Sequence, residues 1–327
     1  MDGITSGAMA RGGNKGKVVV VMGATATGKS KLAVDLALRF GGEVVNSDKI
    51  QVHDGLDVVT NKVTAGECRG VPHHLIGGVS PDADYAAADF CRDAARAVES
   101  VCARGRVPII AGGSNRYLEA LLDGGEPAAF RRRYECCFLW VDADLPVLDR
   151  YIRGRVEGML EQGLVDQGRA FFQPDGDYSR GIRRAIGVPE MDAYFRREAT
   201  GELDGDSELR ARLLSAAVDE IKDNTCRLAR RQRHKIRRLC GIPGWSLRRL
   251  DATAVLKLKT SKAKDPEADR AAWEAGVAGP AARAVATFLG GKRSDGHRDD
   301  DKAGLVVACS GHARRWWHES RVLRPAA

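Results

Sequence analysis

No apolar run in this 327-residue chain approaches the roughly 20 residues that a membrane-spanning helix needs, so no membrane partner is expected. The eight cysteines, at positions 68, 91, 102, 136, 137, 226, 240 and 309, include no Cys-x-x-Cys pair. Their scatter indicates neither a disulfide framework nor a zinc site and fits a reducing compartment. The first 16 residues are small and polar, lack the apolar stretch of a secretory signal and are shorter than a typical transit peptide. Acids are missing between Asn224 and Leu250, where nine Lys/Arg residues run from Arg227 to Arg249. That run reads as a solvated helix face, a nucleic-acid surface or a basic wall around a phosphate-handling site, and by itself it does not choose among them. What is present is otherwise ordinary for a globular chain: 43% hydrophobic, 29% charged, net charge +8.

The most informative segment is Val18-Val-Val-Val-Met-Gly23-Ala24-Thr25-Ala26-Thr27-Gly28-Lys29-Ser30. It matches a buried strand feeding G-x-x-x-x-G-K-[ST], and Leu32, Ala33, Leu36, Ala37 and Phe40 follow at helical spacing. Glycines at such a turn let backbone N–H groups face an anion, Lys29 adds a point charge and the Ser30 hydroxyl can hold Mg²⁺. A phosphate or diphosphate is therefore expected over Gly23–Ser30. The loop alone does not say whose phosphates they are.

Along residues 17–125, strands (Val18–Met22, Glu43–Asn46, Val107–Ala111, Cys137–Val141) alternate with helices (Lys29–Phe40, Tyr85–Arg104). This predicts an α/β fold with a P-loop NTPase-like parallel sheet flanked by helices. Residues 145–240 read as mostly helical with a loop at Gln173–Asp177, and 251–290 as a strand and a closing helix. Residues 1–16 read as a flexible N-terminus, 17–290 as one domain and 291–327 as a disordered tail. Ligands of such sheets sit at the carboxyl ends of the strands, which puts Gly23–Ser30, Ser47-Asp48 and Gly112-Gly113-Ser114-Asn115 on one rim. Asp48 there is either a helix N-cap or a base that accepts a proton from a nucleophile.

Several motifs in order then resemble the isopentenyltransferase family, prenyl transferases acting on adenine N6. They are Gly23–Ser30, Asn46-Ser-Asp-Lys-Ile-Gln-Val52, Gly55-Leu-Asp-Val-Val-Thr-Asn61-Lys62-Val-Thr64, Val71-Pro-His73-His74-Leu75, Ala111–Leu121, Gly181-Ile-Arg183-Arg184-Ala-Ile-Gly187-Val-Pro-Glu190 and Asn224–Gln232. The family's tRNA-modifying branch typically shows Ser-Ala-Asp-Ser-Met-Gln and Gly-Gly-Thr, with a long helical insertion after the latter. Here Asn46-Ser47-Asp48-Lys49 and Gly112-Gly113-Ser114-Asn115 stand instead, and the connection from Leu122 to Cys137 is short. Cys309, His312 and His318 supply too few sulfur ligands for a zinc finger. The chain thus resembles the plant adenylate branch, which makes cytokinin precursors. Arg116 and Met191 depart from that branch's usual serine and aromatic.

The resemblance implies that the loop Gly23, Ala24, Thr25, Ala26, Thr27, Gly28, Lys29, Ser30 cradles dimethylallyl diphosphate with Mg²⁺ on Ser30, while ATP or ADP binds alongside as acceptor. It implies Asp48 as base, Thr25 near the bridging oxygen, Lys29 on the leaving diphosphate and Arg183 as a second cation. Ser114 and Asn115 line the rim, and Arg231 and Lys235 are the expected acceptor-phosphate ligands. His73 and His74 read as structural. A nucleotide kinase is the rival of another class, with the arginine-rich helix carrying Arg150, Arg153 and Arg155 in its favour, and tRNA prenylation is the rival within the family. The N-terminus favours cytoplasm, although the branch includes plastid members.

Overall fold

A computed structural model describes residues 15–124, 129–261, 263 and 265–290; the expected tail 291–327 and most of the expected flexible N-terminus lie outside these. In chain order the elements are β1 (Gly16–Gly23), α1 (Lys29–Phe40), β2 (Gly42–Asn46), α2 (Ala65–Cys68), β3 (His73–His74), α3 (Ala87–Ala103), β4 (Val107–Gly112), α4 (Asn115–Asp123), α5 (Ala129–Arg133) and β5 (Tyr134–Asp142). The helices α6 (Leu145–Glu161), α7 (Leu164–Phe171), α8 (Asp192–Ala199) and α9 (Ser207–Leu239) follow. Then β6 (Leu247–Asp251), α10 (Thr253–Lys259), α11 (Pro266–Trp273) and α12 (Gly279–Gly290) close the described chain.

The strands form one parallel sheet in the order β3-β2-β4-β1-β5-β6. A parallel strand covered on both faces must be apolar on both, which is why Val18 to Met22 form an uninterrupted run with no exposed side chain. Val19 and Val21 face a cluster built with α1, α10 and α12, while Val18, Val20 and Met22 face one built with α3, α4 and the end of α9. Because β1 lies between β4 and β5, the loops after β1, β4 and β2 stand side by side at the carboxyl edge.

A third apolar cluster, with Leu56, Val59, Met159, Ile182, Tyr194 and Phe195 among its members, underlies a helical lobe beside that edge. The 33-residue α9 joins the two parts. At 1.5 Å per residue it is ~50 Å long, and its buried positions run from Ala217, Val218 and Ile221 in the lobe to Ile236 and Leu239 under the sheet. Its middle therefore crosses the rim where the loops end.

Two elements differ from expectation. The late strand lies at Leu247–Asp251 rather than within 251–290, where the described chain is helical. It is an edge strand whose two buried residues, Leu247 and Leu250, are three apart and face opposite sides of the sheet, with Arg248 and Arg249 between them, so no apolar alternation marks it in the sequence. His73–His74 form a two-residue edge strand beside β2. His73 Nδ1 lies 2.8 Å from the Val71 carbonyl and His74 Nε2 2.7 Å from Glu43 Oε2, contacts that hold the edge together.

Candidate active site

The loop after β1 turns through Ala26 at φ 67° and Gly28 at φ 94°, both left-handed, before α1 begins at Lys29. Gly28 also admits close packing: a Cβ there would sit 2.9 Å from the Trp273 ring, so Trp273 braces the loop from behind. The Thr27 hydroxyl donates to the Ala24 carbonyl at 2.9 Å and Lys29 Nζ donates to the same oxygen at 2.8 Å. Ser30 is exposed in the first turn of α1.

Lys29 is an unusual ammonium. Desolvation pulls its pKa from 10.5 to about 8, opposed by the negative charge of Asp48 and assisted by the nearby Arg155 cation. Asp48 and Lys29 are thus near enough to feel each other across the rim. Asp48 follows β2, and its own turn fixes it: its N–H donates to Asn46 Oδ1 at 3.1 Å and its Oδ1 accepts from Ile50 N–H at 3.0 Å. The helix N-cap reading of Asp48 does not hold, since it forms a local Asx-type turn with no helix behind it. Its Oδ2 has no hydrogen-bond partner among the described residues.

The third loop ties the other two together. Ser114 Oγ accepts from Lys49 N–H at 2.9 Å, Ser114 N–H donates to Ser47 O at 3.2 Å, and Asn115 Nδ2 donates to Gln232 O at 3.2 Å. From α9, Gln232 Oε1 accepts Thr25 N–H at 2.7 Å while Gln232 Nε2 donates to Gly113 O at 3.0 Å. Gly113 must be glycine for this, since a Cβ would lie 2.4 Å from Gln232 Nε2. One buried amide therefore sets the spacing between the phosphate loop and the loop supporting Asp48. Beside it Asp142, at the end of β5, is buried and paired with Arg233 and Arg249 at 2.7 and 2.9 Å, which fixes α9 and β6 to the rim.

The cations are distributed differently from expectation. Arg183 is not joined to the phosphate loop. Its Nε pairs with Asp82 at 2.8 Å, its Nη2 donates to Gln173 Oε1 at 2.7 Å and its guanidinium lies over Phe171. Its neighbour Arg184 faces the rim instead: with Lys235 it adds to the desolvation that lowers the pKa of Lys49, and Asp48 opposes them. Arg155 of α6 reaches the loop, donating from Nη2 to Thr25 Oγ1 at 3.0 Å. Arg231 and Lys235 are exposed on one face of α9, one turn apart. Sequence reasoning missed Arg155, Arg184 and Gln232 as site residues, although all three stood in segments it had singled out. Replacing Arg183 with Met is expected to cost roughly 2–3 kcal/mol of stability with donor KM unchanged. Chemical denaturation alongside donor kinetics checks this, and a raised KM at full stability would return Arg183 to the diphosphate.

Among the described residues no group of three or more His, Cys, Asp or Glu side chains could hold a metal by itself. An exposed hydroxyl at Ser30 suits Mg²⁺, which commonly takes few protein ligands and completes its shell with phosphate oxygens and water.

The family model described as IPP transferase matches residues 51–131 and 124–239. The chain is 53% identical over 278 residues to Adenylate isopentenyltransferase 3, chloroplastic, of Arabidopsis thaliana, covering 85% of this chain and 80% of that one. It is 47% identical to Adenylate isopentenyltransferase 7, mitochondrial, of the same plant, covering 91% and 87%. It is 42% identical to an adenylate isopentenyltransferase of Humulus lupulus, covering 82% and 89%. Among solved structures, a eukaryotic dimethylallyltransferase acting on tRNA superposes with TM-score 0.67 at 22% identity, covering 84% of this chain and 80% of that one. The tRNA isopentenylpyrophosphate transferase of Bacillus halodurans gives 0.62 at 26% identity, covering 84% and 99%.

Proposed function

The chain belongs to the IPP transferase family, and from that premise we propose that it transfers the dimethylallyl group of dimethylallyl diphosphate to N6 of ATP or ADP, releasing pyrophosphate. This is the first step of cytokinin biosynthesis. What carries the reading is a phosphate loop with an intact lysine facing Asp48 across the rim, in a chain whose relatives above are named adenylate isopentenyltransferases.

The geometry supports the following chemistry. The allylic C–O bond breaks, its electron pair stays on oxygen, and charge grows on the departing diphosphate. Lys29 and the loop amides other than those of Thr25 and Thr27, which are bonded within the protein, would stand where that charge appears. The exocyclic amine of adenine is a poor nucleophile because its lone pair is delocalised into the ring, so its proton must leave as the N–C bond forms. Asp48, with Oδ2 unpartnered, receives it. Mg²⁺, held by Ser30 and the diphosphate, would supply further neutralisation of the leaving group. Arg231, Lys235, Lys49 and Arg184 form the cationic side on which the acceptor phosphates would lie. Relatives named chloroplastic and mitochondrial support a plastid or other organelle over the cytoplasm; no helix among the described residues is long and apolar enough to cross a membrane.

The purified protein with Mg²⁺ and dimethylallyl diphosphate is expected to yield prenylated ATP and ADP plus pyrophosphate, read by mass. AMP is expected to be a poorer acceptor and unmodified tRNA none. Prenylated tRNA alone would move the acceptor to RNA, and phosphate transfer without prenylation would replace the reading with a kinase.

A further inference from the structure

The Thr25 hydroxyl is bonded by a neighbour that can only donate. A guanidinium has no lone pair to offer, so in the 3.0 Å contact Arg155 Nη2 is the donor and Thr25 Oγ the acceptor. The threonine proton is left to one of the remaining staggered directions, and no acceptor among the described residues takes it. The Thr25 backbone is pinned as well, through its N–H to Gln232 Oε1 at 2.7 Å. The residue is held from α6 on one side and α9 on the other.

Arg155 itself is used sparingly. Among the described residues it forms no ion pair, its one hydrogen bond is to Thr25, and its Nε is buried without a partner. Desolvation holds its pKa below the ordinary guanidinium value, and its charge helps to lower that of Lys29. An unpaired cation kept beside another cation is costly for the fold, so a purely structural role does not explain it.

Resting on the prenyl-transfer reading above, we propose that Arg155 is a positioning residue for the leaving group: by occupying the Thr25 oxygen it directs the Thr25 hydroxyl proton to the bridging oxygen of the prenyl diphosphate. As the C–O bond breaks, the electron pair and the negative charge collect on that oxygen, and the hydrogen bond from Thr25 strengthens without the proton being transferred. Donation from the cation into the hydroxyl oxygen polarises the O–H bond further.

A double-mutant cycle tests this on the full chain with Mg²⁺, dimethylallyl diphosphate and ADP, with thermal melting recorded for each protein. Removing one donor aimed at transition-state charge costs on the order of 10²-fold in kcat, which is the loss expected for Thr25→Val. Arg155→Met is expected to lower kcat about 10-fold with little change in donor KM, and in the Thr25→Val background to lower it no further. Arg155→Lys, a shorter donor-only cation, is expected to recover part of the loss, and it serves as the test should Arg155→Met fail to fold. Losses that multiply independently would overturn the proposal, as would a tenfold rise in donor KM, which would make Arg155 a diphosphate ligand. Absence of prenyl transfer in the wild-type protein would instead sink the underlying reading and take the inference with it.

Discussion

Asp48→Asn is expected to lower kcat for prenyl transfer by roughly 10²–10⁴-fold, the range for loss of a positioned general base, with nucleotide KM within a few-fold of wild type. The substitution is nearly isosteric. An amide oxygen can still accept from Ile50 N–H, the bond that holds the turn at 3.0 Å, so the loop and its link to Ser114 through Lys49 N–H stay in place. What is lost is the ability of the second oxygen to take the amine proton as nitrogen bonds to carbon. Because proton removal matters only as that bond forms, the effect falls on kcat rather than on acceptor binding. Single-turnover kinetics with both substrates saturating checks this, and a variant retaining more than about a tenth of the rate would show that Asp48 is not the base.

The parts of this arrangement legible in sequence are those governed by local rules. The loop Gly23–Ser30 was readable because a buried strand, two glycines and a lysine are needed within one short span, and α1 occupies the expected Lys29–Phe40. Asp48 was readable because strand ends place their next residues on a common rim. Gln232 and Arg155 were not, since each acts across 207 or 130 residues of chain, and nothing local distinguishes Arg155 from Arg150 or Arg153 on the same helix. Arg183 and Arg184 show the limit most directly. They are adjacent, and only the three-dimensional path of Gly181–Arg184 decides that the first is enclosed by Asp82, Gln173 and Phe171 while the second faces the rim. Motif position narrowed the choice to neighbours, and packing made the selection.

Lys29 supplies the second large effect and the one with a pH signature. Lys29→Met is expected to reduce kcat/KM for the prenyl donor by roughly 10²–10³-fold, since a preorganised charge is lost from the leaving group. In the wild-type protein the free ammonium has a pKa of about 8 because it is desolvated, whereas a bound diphosphate favours the charged form. Above that pH, binding must take up a proton, so affinity for inorganic pyrophosphate should fall by up to about tenfold per pH unit. Below it, affinity should level off. The contribution of Lys29 to folding has the opposite sign: a depressed pKa penalises the fold fully below about pH 8, and the penalty disappears as pH rises toward the ordinary lysine value of 10.5. Calorimetry of pyrophosphate binding in buffers of different ionisation enthalpy reads the proton uptake directly, and Lys29→Met should abolish it. The Asp48 charge raises the Lys29 pKa, so Asp48→Asn should shift the break to lower pH. An unchanged break in that variant would mean that the two residues do not share the site.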